Sequence, residues 1–217
     1  MKKIITIEEA VSKIQNGMTL MIGGFLGAGS PHSIIAELVE KGVNDLTIIC
    51  NDTAFADRGL GQLIANRQVK KVITSHIGTN TATIEQYNKK EIEVEFVPQG
   101  TLAERIRCGG AGLGGVLTPT GIGTIVEEGK QKITVNGKAY LLETALRADV
   151  ALLGASVADK MGNLHHKGTT QNFNPIMATA ADLVIAEADE IVEIGEIPME
   201  NIHTQGIFVD FIVKANK

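Results

Sequence analysis

Apolar and polar positions alternate in two rhythms along the first half of the chain, and together they predict strands interleaved with helices. Thr6-Ile-Glu-Glu9 has the form of a capping box, with Thr6 as N-cap and Glu9 reaching back, which opens a helix through Ile14. Asn16-Gly17 closes it, because glycine takes the left-handed conformation at little cost. Leu20-Met21-Ile22 is a short apolar run and reads as a buried strand. Ser30-Pro31 supplies an N-cap and a proline for the first turn of a second helix, whose apolar face carries Ile34, Ile35, Leu38 and Val39 before Lys41-Gly42 ends it.

The cycle then repeats. Strands are predicted at 46–50, 71–74 and 93–97, with helices at 60–66 and 83–89, and Thr101-Leu-Ala-Glu104 has the form of a second capping box. Residues 108–129 hold eight glycines and Pro119, so no regular structure is expected there. Ile133 to Val135, Asn136-Gly137 and Tyr140 to Leu142 form a hairpin signal, since Asn-Gly suits a type I′ turn; the hairpin is placed at 131–142. Val150 to Ala155 and Leu183 to Ala186 read as further buried strands, Ala178 to Ala181 as the tail of a helix begun at Pro175, and 206–213 as a terminal strand. The expected architecture is a single α/β domain over 1–217, three layers deep, with a mainly parallel sheet between helices.

Composition narrows the function. The net charge of −5 and an aromatic content of 4%, with no tryptophan, speak against a nucleic-acid partner. No apolar run reaches the roughly 18 residues of a membrane span, and Glu8 and Glu9 interrupt any secretory core at the start. Two cysteines, Cys50 and Cys108, cannot make a disulfide framework and point to a reducing, cytoplasmic setting. The 24 glycines exceed the usual share of about 7%.

Ligands of an open parallel sheet collect beyond the carboxyl ends of its strands. Four segments fall there: Gly23 to Gly29, Asn51-Asp52-Thr53, Ser75 to Asn80, and Pro98-Gln99-Gly100. The first joins a strand to a helix N-terminus through glycines, a cradle for anionic or carbonyl oxygens or else only a tight turn. His76 follows a strand and is either a ligand contact or a partner for its own loop. Generic motifs fail in context. Gly110 to Gly115 fits G-x-G-x-x-G but follows a charged helix and precedes Pro119; Gly154 to Ala158 misses a nucleophile elbow by one residue; the five histidines lack metal-ligand spacing, so no metal is expected. Glu127-Glu128 is a possible acid–base pair or a solvated turn.

The segment Asn16-Gly-Met-Thr-Leu-Met-Ile-Gly-Gly-Phe-Leu-Gly-Ala-Gly-Ser-Pro31 resembles the first signature of the class I coenzyme A transferases, which share a sugar-phosphate-isomerase-like fold. Further stretches are similar to the same family: Asn51-Asp-Thr, Ser75 to Asn80, Pro98 to Arg107, Gly109 to Gly112, Thr118 to Gly121 and Asn172-Phe-Asn174. The likeness is greatest to alpha subunits of two-chain enzymes that exchange CoA between acetate or butyrate and acetoacetate. It implies a ping-pong reaction in which a glutamate attacks the acyl-CoA thioester, and it places that glutamate in a Ser-Glu-Asn-Gly motif of the beta subunit. This chain contains no Ser-Glu dipeptide, so the nucleophile is expected from a partner, in a heterotetramer of two alpha and two beta chains.

The resemblance assigns Gly23, Gly24, Phe25, Leu26, Gly27, Ala28 and Gly29 to coenzyme A binding, with acyl-CoA as substrate and no tightly bound cofactor. It sets Gln99 near the reacting carbonyl, as an oxyanion donor or a partner for its own loop, and makes Asn51, His76 and Gly110 candidates for the pocket. One departure from the family pattern stands out: Gln171 precedes Asn172-Phe-Asn174, where the resemblance implies arginine in many relatives. The alternative is a catalytically silent sensor of an acyl-CoA or phosphorylated metabolite on the same fold, and a nicotinamide-dependent enzyme is weaker still.

Overall fold

The computed structural model describes residues 3–216. Its first half alternates strand and helix: β1 (Lys3–Ile5), α1 (Ile7–Val11), β2 (Thr19–Ile22), α2 (His32–Lys41), β3 (Leu46–Ile49), α3 (Gly61–Ala65), β4 (Val69–Thr74), α4 (Thr81–Asn88), β5 (Glu93–Phe96) and α5 (Gln99–Gly110). The second half carries β6 (Gly115–Thr118), β7 (Lys132–Val135), β8 (Lys138–Thr144), β9 (Ala148–Asp159), β10 (Leu164–His165), α6 (Asn174–Met177), β11 (Ala181–Val192) and β12 (Phe211–Lys214).

The main sheet runs β1-β12-β11-β9-β2-β3-β4-β5, every neighbour in that path parallel, with β10 antiparallel on β9. Alternate side chains feed two cores. Leu20, Ile22, Ile48, Val72, Leu152 and Ile185 pack beneath α1, α2 and α3, whereas Met21, Ile49, Ile73, Leu153, Ala186 and Ile212 pack beneath α5 and α6. This period of two, buried on both faces, is what a central parallel strand requires. The strand order reverses between β2 and β9, and the crevice at such a switch point is where α/β sheets bind ligands.

The hairpin forms as expected, with Asn136 at φ 51° and Gly137 at φ 75°, both positive as a type I′ turn demands. Other expectations need correction. The first helix stops at Val11 rather than Ile14, because its last turn tightens to i to i+3 bonds, Lys13 N–H to the Ala10 carbonyl and Ile14 N–H to the Val11 carbonyl, and Lys41 Nζ donates to the carbonyls of Val11 (2.7 Å) and Ile14 (3.1 Å). Thr101-Glu104 is no capping box: α5 already begins at Gln99, with Pro98 at its N-cap position. The glycine-rich segment is not wholly irregular, since α5 continues to Gly110 and β6 pairs with β8 in a small antiparallel sheet. There Gly115 is required, because a Cβ would fall 2.3 Å from the Glu143 carbonyl oxygen. The last segment opens as a 3-10 turn over Gly206–Phe208 before β12.

Candidate active site

The glycine segment after β2 lies at the switch point. Gly23 N–H continues the sheet to the Leu152 carbonyl (3.0 Å), and Phe25 and Ala28 exchange backbone hydrogen bonds of 3.0 and 2.9 Å around Leu26 (φ 50°) and Gly27 (φ 82°). That tight turn holds Phe25 out into solvent, 46% exposed. A matching turn after β3 closes between Phe55 and Arg58, and leaves Phe55 38% exposed beside it. Two asparagines lock the glycine turn from beneath. Asn172 Oδ1 accepts from Gly24 N–H (3.1 Å) while its Nδ2 donates to the Ala28 carbonyl (3.0 Å); Asn174 bridges Gly154 N–H (3.1 Å) and the Gly29 carbonyl (3.0 Å). A Cβ on Gly23 would fall 1.8 Å from Asn174 Oδ1, so the glycine makes room for the clamp.

Beside this turn opens a cleft of about 370 Å³, lined by Gly27, Ala28, Gly29, Arg58, Ser156 and Thr170 among others. Arg58 lies across the turn, where a Cβ on Gly27 would meet its Nε at 2.9 Å. The α2 N-terminus beneath is not the open anion cradle that the sequence suggested. Ser30 does not cap it; Glu187 does, reaching from β11 to accept from Ser33 N–H (3.0 Å), Ser33 Oγ–H (2.9 Å) and Ile34 N–H (2.8 Å). The helix end already holds its negative charge.

A second group gathers on β3, β4 and α5. Gln99, exposed at the first turn of α5, donates from Nε2 to Asn51 Oδ1 and accepts at Oε1 from Ser75 Oγ–H. Asn51 is 4% exposed and donates from Nδ2 to Asp52 Oδ2 (3.3 Å); Asp52 also accepts from Leu26 N–H (3.0 Å) and Ala54 N–H (2.7 Å). Asp52 therefore ties the glycine turn to Gln99. His76 stands exposed at the rim, its backbone bridged to Asp52 and its ring over Gly78, where a Cβ would fall 2.8 Å from Cε1.

Gly110 is not brought to this place. It ends α5, eleven residues and about 17 Å of helix from Gln99, where a Cβ would lie 2.0 Å from Thr179 Oγ1. Its job is close packing at the opposite edge of the sheet. Asp52 stood in the sequence beside Asn51 but was not singled out, and its signal was the carboxyl end of β3. Glu187 carried a different signal, a carboxylate inside an apolar strand run.

The three carboxylates buried at this edge, Asp52, Asp159 and Glu187, all spend their oxygens on local N–H groups. Burial pushes the Cys50 thiol well above its ordinary range, so it offers no thiolate. His166 is 1% exposed; burial, outweighing its bond to the Gly154 carbonyl, brings it down to about 4, with His203 and His165 stacked alongside. The edge thus presents an oriented amide and a rigid glycine turn, with its buried acids already engaged.

The chain matches the family model described as coenzyme A transferase over residues 4–215. It is 53% identical to an acetate CoA-transferase subunit alpha of Escherichia coli, over 99% of this chain and 98% of that one. It is 52% identical to an acetoacetyl-CoA:acetate/butyrate CoA transferase alpha subunit of Clostridium acetobutylicum, over 98% and 97%. Among solved structures, its fold is similar to an acyl-CoA transferase of Escherichia coli in a thioester complex with CoA, with a TM-score of 0.88 at 21% identity. That match covers 99% of this chain and 47% of the other. The sheet, the glycine turn and a match along nearly the whole chain agree: this chain belongs to the coenzyme A transferase family.

Proposed function

We propose that the chain is the alpha subunit of a short-chain acyl-CoA:carboxylate CoA-transferase, exchanging CoA between acetate or butyrate and acetoacetate in the cytoplasm. It supplies one half of an active site that a beta subunit completes, in an assembly of two chains of each kind. The observation that carries this reading is the exposed Gln99 amide, held by Asn51 and Ser75 at the carboxyl edge while the buried carboxylates there are tied to local N–H groups.

In this reading the partner's glutamate attacks the thioester carbonyl. The carbonyl oxygen gains negative charge, the C–S bond breaks, and an acyl-glutamyl anhydride and a CoA thiolate result. The thiolate then attacks the glutamyl carbonyl, releasing the first carboxylate and leaving a glutamyl-CoA thioester, and the acceptor carboxylate reverses these steps. Every tetrahedral stage places charge on one oxygen, and the second N–H of Gln99 Nε2 is the donor for it. The 23–29 turn and Arg58 fit the CoA side of the substrate: backbone without side chains allows close approach, and the guanidinium suits phosphate.

Assaying exchange between acetyl-CoA and acetoacetate tests the proposal. The isolated chain should show none, and addition of its beta chain should create it. Turnover by the isolated chain would overturn the reading.

A further inference from the structure

We propose that Asp52 is a positioning residue that sets which way round the Gln99 amide faces the substrate. The inference rests on the role given to Gln99 above and concerns a residue with no such assignment. An amide side chain is nearly symmetric in shape but not in chemistry: one end donates, the other accepts. Which end meets the reacting carbonyl must be decided by neighbours.

Those neighbours form a chain in which each polarity dictates the next. Asp52 is 4% exposed, and the groups bonded to its carboxylate are N–H donors: Leu26 N–H at 3.0 Å, Ala54 N–H at 2.7 Å and Asn51 Nδ2 at 3.3 Å. A carboxylate between two backbone donors offers Asn51 only acceptors, so Asn51 must turn Nδ2 toward it. Asn51 Oδ1 is then left facing Gln99, which must answer with Nε2. Gln99 Oε1 falls to Ser75. Ser75 Oγ also lies 2.8 Å from the Asn51 carbonyl, but the two lone pairs of that oxygen already receive the Thr74 hydroxyl (3.0 Å) and Ser75 N–H (3.4 Å), so the Ser75 proton can go to Gln99. Reversing Gln99 would set oxygen against oxygen at Asn51, or oppose Asn51 Oδ1 to the carboxylate.

Asparagine at position 52 removes the direction while keeping the shape. Its Oδ1 keeps the Ala54 N–H (2.7 Å) and the longer of the two Leu26 N–H contacts (3.3 Å), its Nδ2 faces Asn51, and the 3.0 Å bond from Leu26 N–H to the oxygen that Nδ2 replaces is given up. Asn51 and Gln99 can then both invert with their own side-chain bonds remade, Ser75 accepting instead of donating. The inverted amide presents a lone pair where the N–H belongs. Moving the carboxylate one residue back restores direction. In N51D/D52N the amide at position 52 donates to the carboxylate at position 51, whose other oxygen accepts from Gln99 Nε2.

The test compares wild type, D52N, N51D and N51D/D52N, each assembled with the beta chain, by exchange kinetics and thermal melting. D52N should lose about 100-fold in kcat, as when an oxyanion donor is removed, with KM held within about threefold. The doubly substituted enzyme should recover at least about tenfold over D52N, and exceed N51D, a coupling that independent structural damage does not produce. Should D52N fail to assemble, the same rescue is read against N51D. A double variant no better than either single, or D52N with near wild-type kcat, overturns the proposal. An inactive wild-type complex would instead overturn the transferase reading itself.

Discussion

At the residue scale, the proposed chemistry rests on Gln99. Replacing it with alanine should lower kcat by about 10²–10³, the cost of one oxyanion donor, with little change in melting temperature because the side chain is exposed at a helix start; steady-state kinetics beside a thermal melt would check both. His166 gives a second prediction at this scale. Its folded value of about 4 lies below the usual 6.5, so the unfolded chain binds more protons between these two values. Stability should therefore fall as pH drops from 6.5 toward 4, by about 3 kcal/mol from this group, with no further loss from it below 4. Urea unfolding across that window should show a shallower pH slope in H166Q. Gln99, Asn51 and the glycine turn were legible from the sequence because carboxyl-end loops and a long signature marked them. Asn174 and Glu187 act from strands and helices remote in sequence, and nothing local in the chain reveals that they clamp 23–29 and cap the helix after it.

At the scale of elements, the alternation of strand and helix through α5 followed from apolar spacing, and the Asn136-Gly137 turn from its own chemistry. What periodicity missed was decided by tertiary partners. Lys41 binds the carbonyls at the end of α1, and a carboxylate on β11 caps α2 in place of the adjacent Ser30. Replacing Glu187 with alanine should cost about 1–3 kcal/mol, because it strands two backbone donors and a hydroxyl at a buried helix end; chemical denaturation of the isolated chain measures it, and a loss under about 0.5 kcal/mol would assign the cap no weight. The approach of β9 to the glycine turn is tighter still. A Cβ on Gly154 would sit 2.3 Å from the Gly29 carbonyl oxygen, backbone against backbone. Gly154→Ala should therefore shift the 23–29 turn and destabilise by about 1–3 kcal/mol, raising KM for acyl-CoA along with it.

At the scale of the whole molecule, the strand order reverses between the parallel neighbours β2 and β9, and the glycine turn occupies the crevice at that point. A resemblance in sequence anticipated the family, and the fold places Gln99 and the turn on one edge, joined through Asp52. Gly110 fell outside because α5 carries it to the other edge, a matter of helix length that no motif encodes. The central claim is that this edge is half of a shared site whose nucleophile belongs to a second chain. Intact mass spectrometry of the two-chain complex after incubation with acetyl-CoA tests it most directly. The beta chain should gain the mass of one CoA less one water, lost again on adding acetate, while this chain keeps its mass. A CoA adduct on this chain would contradict the claim.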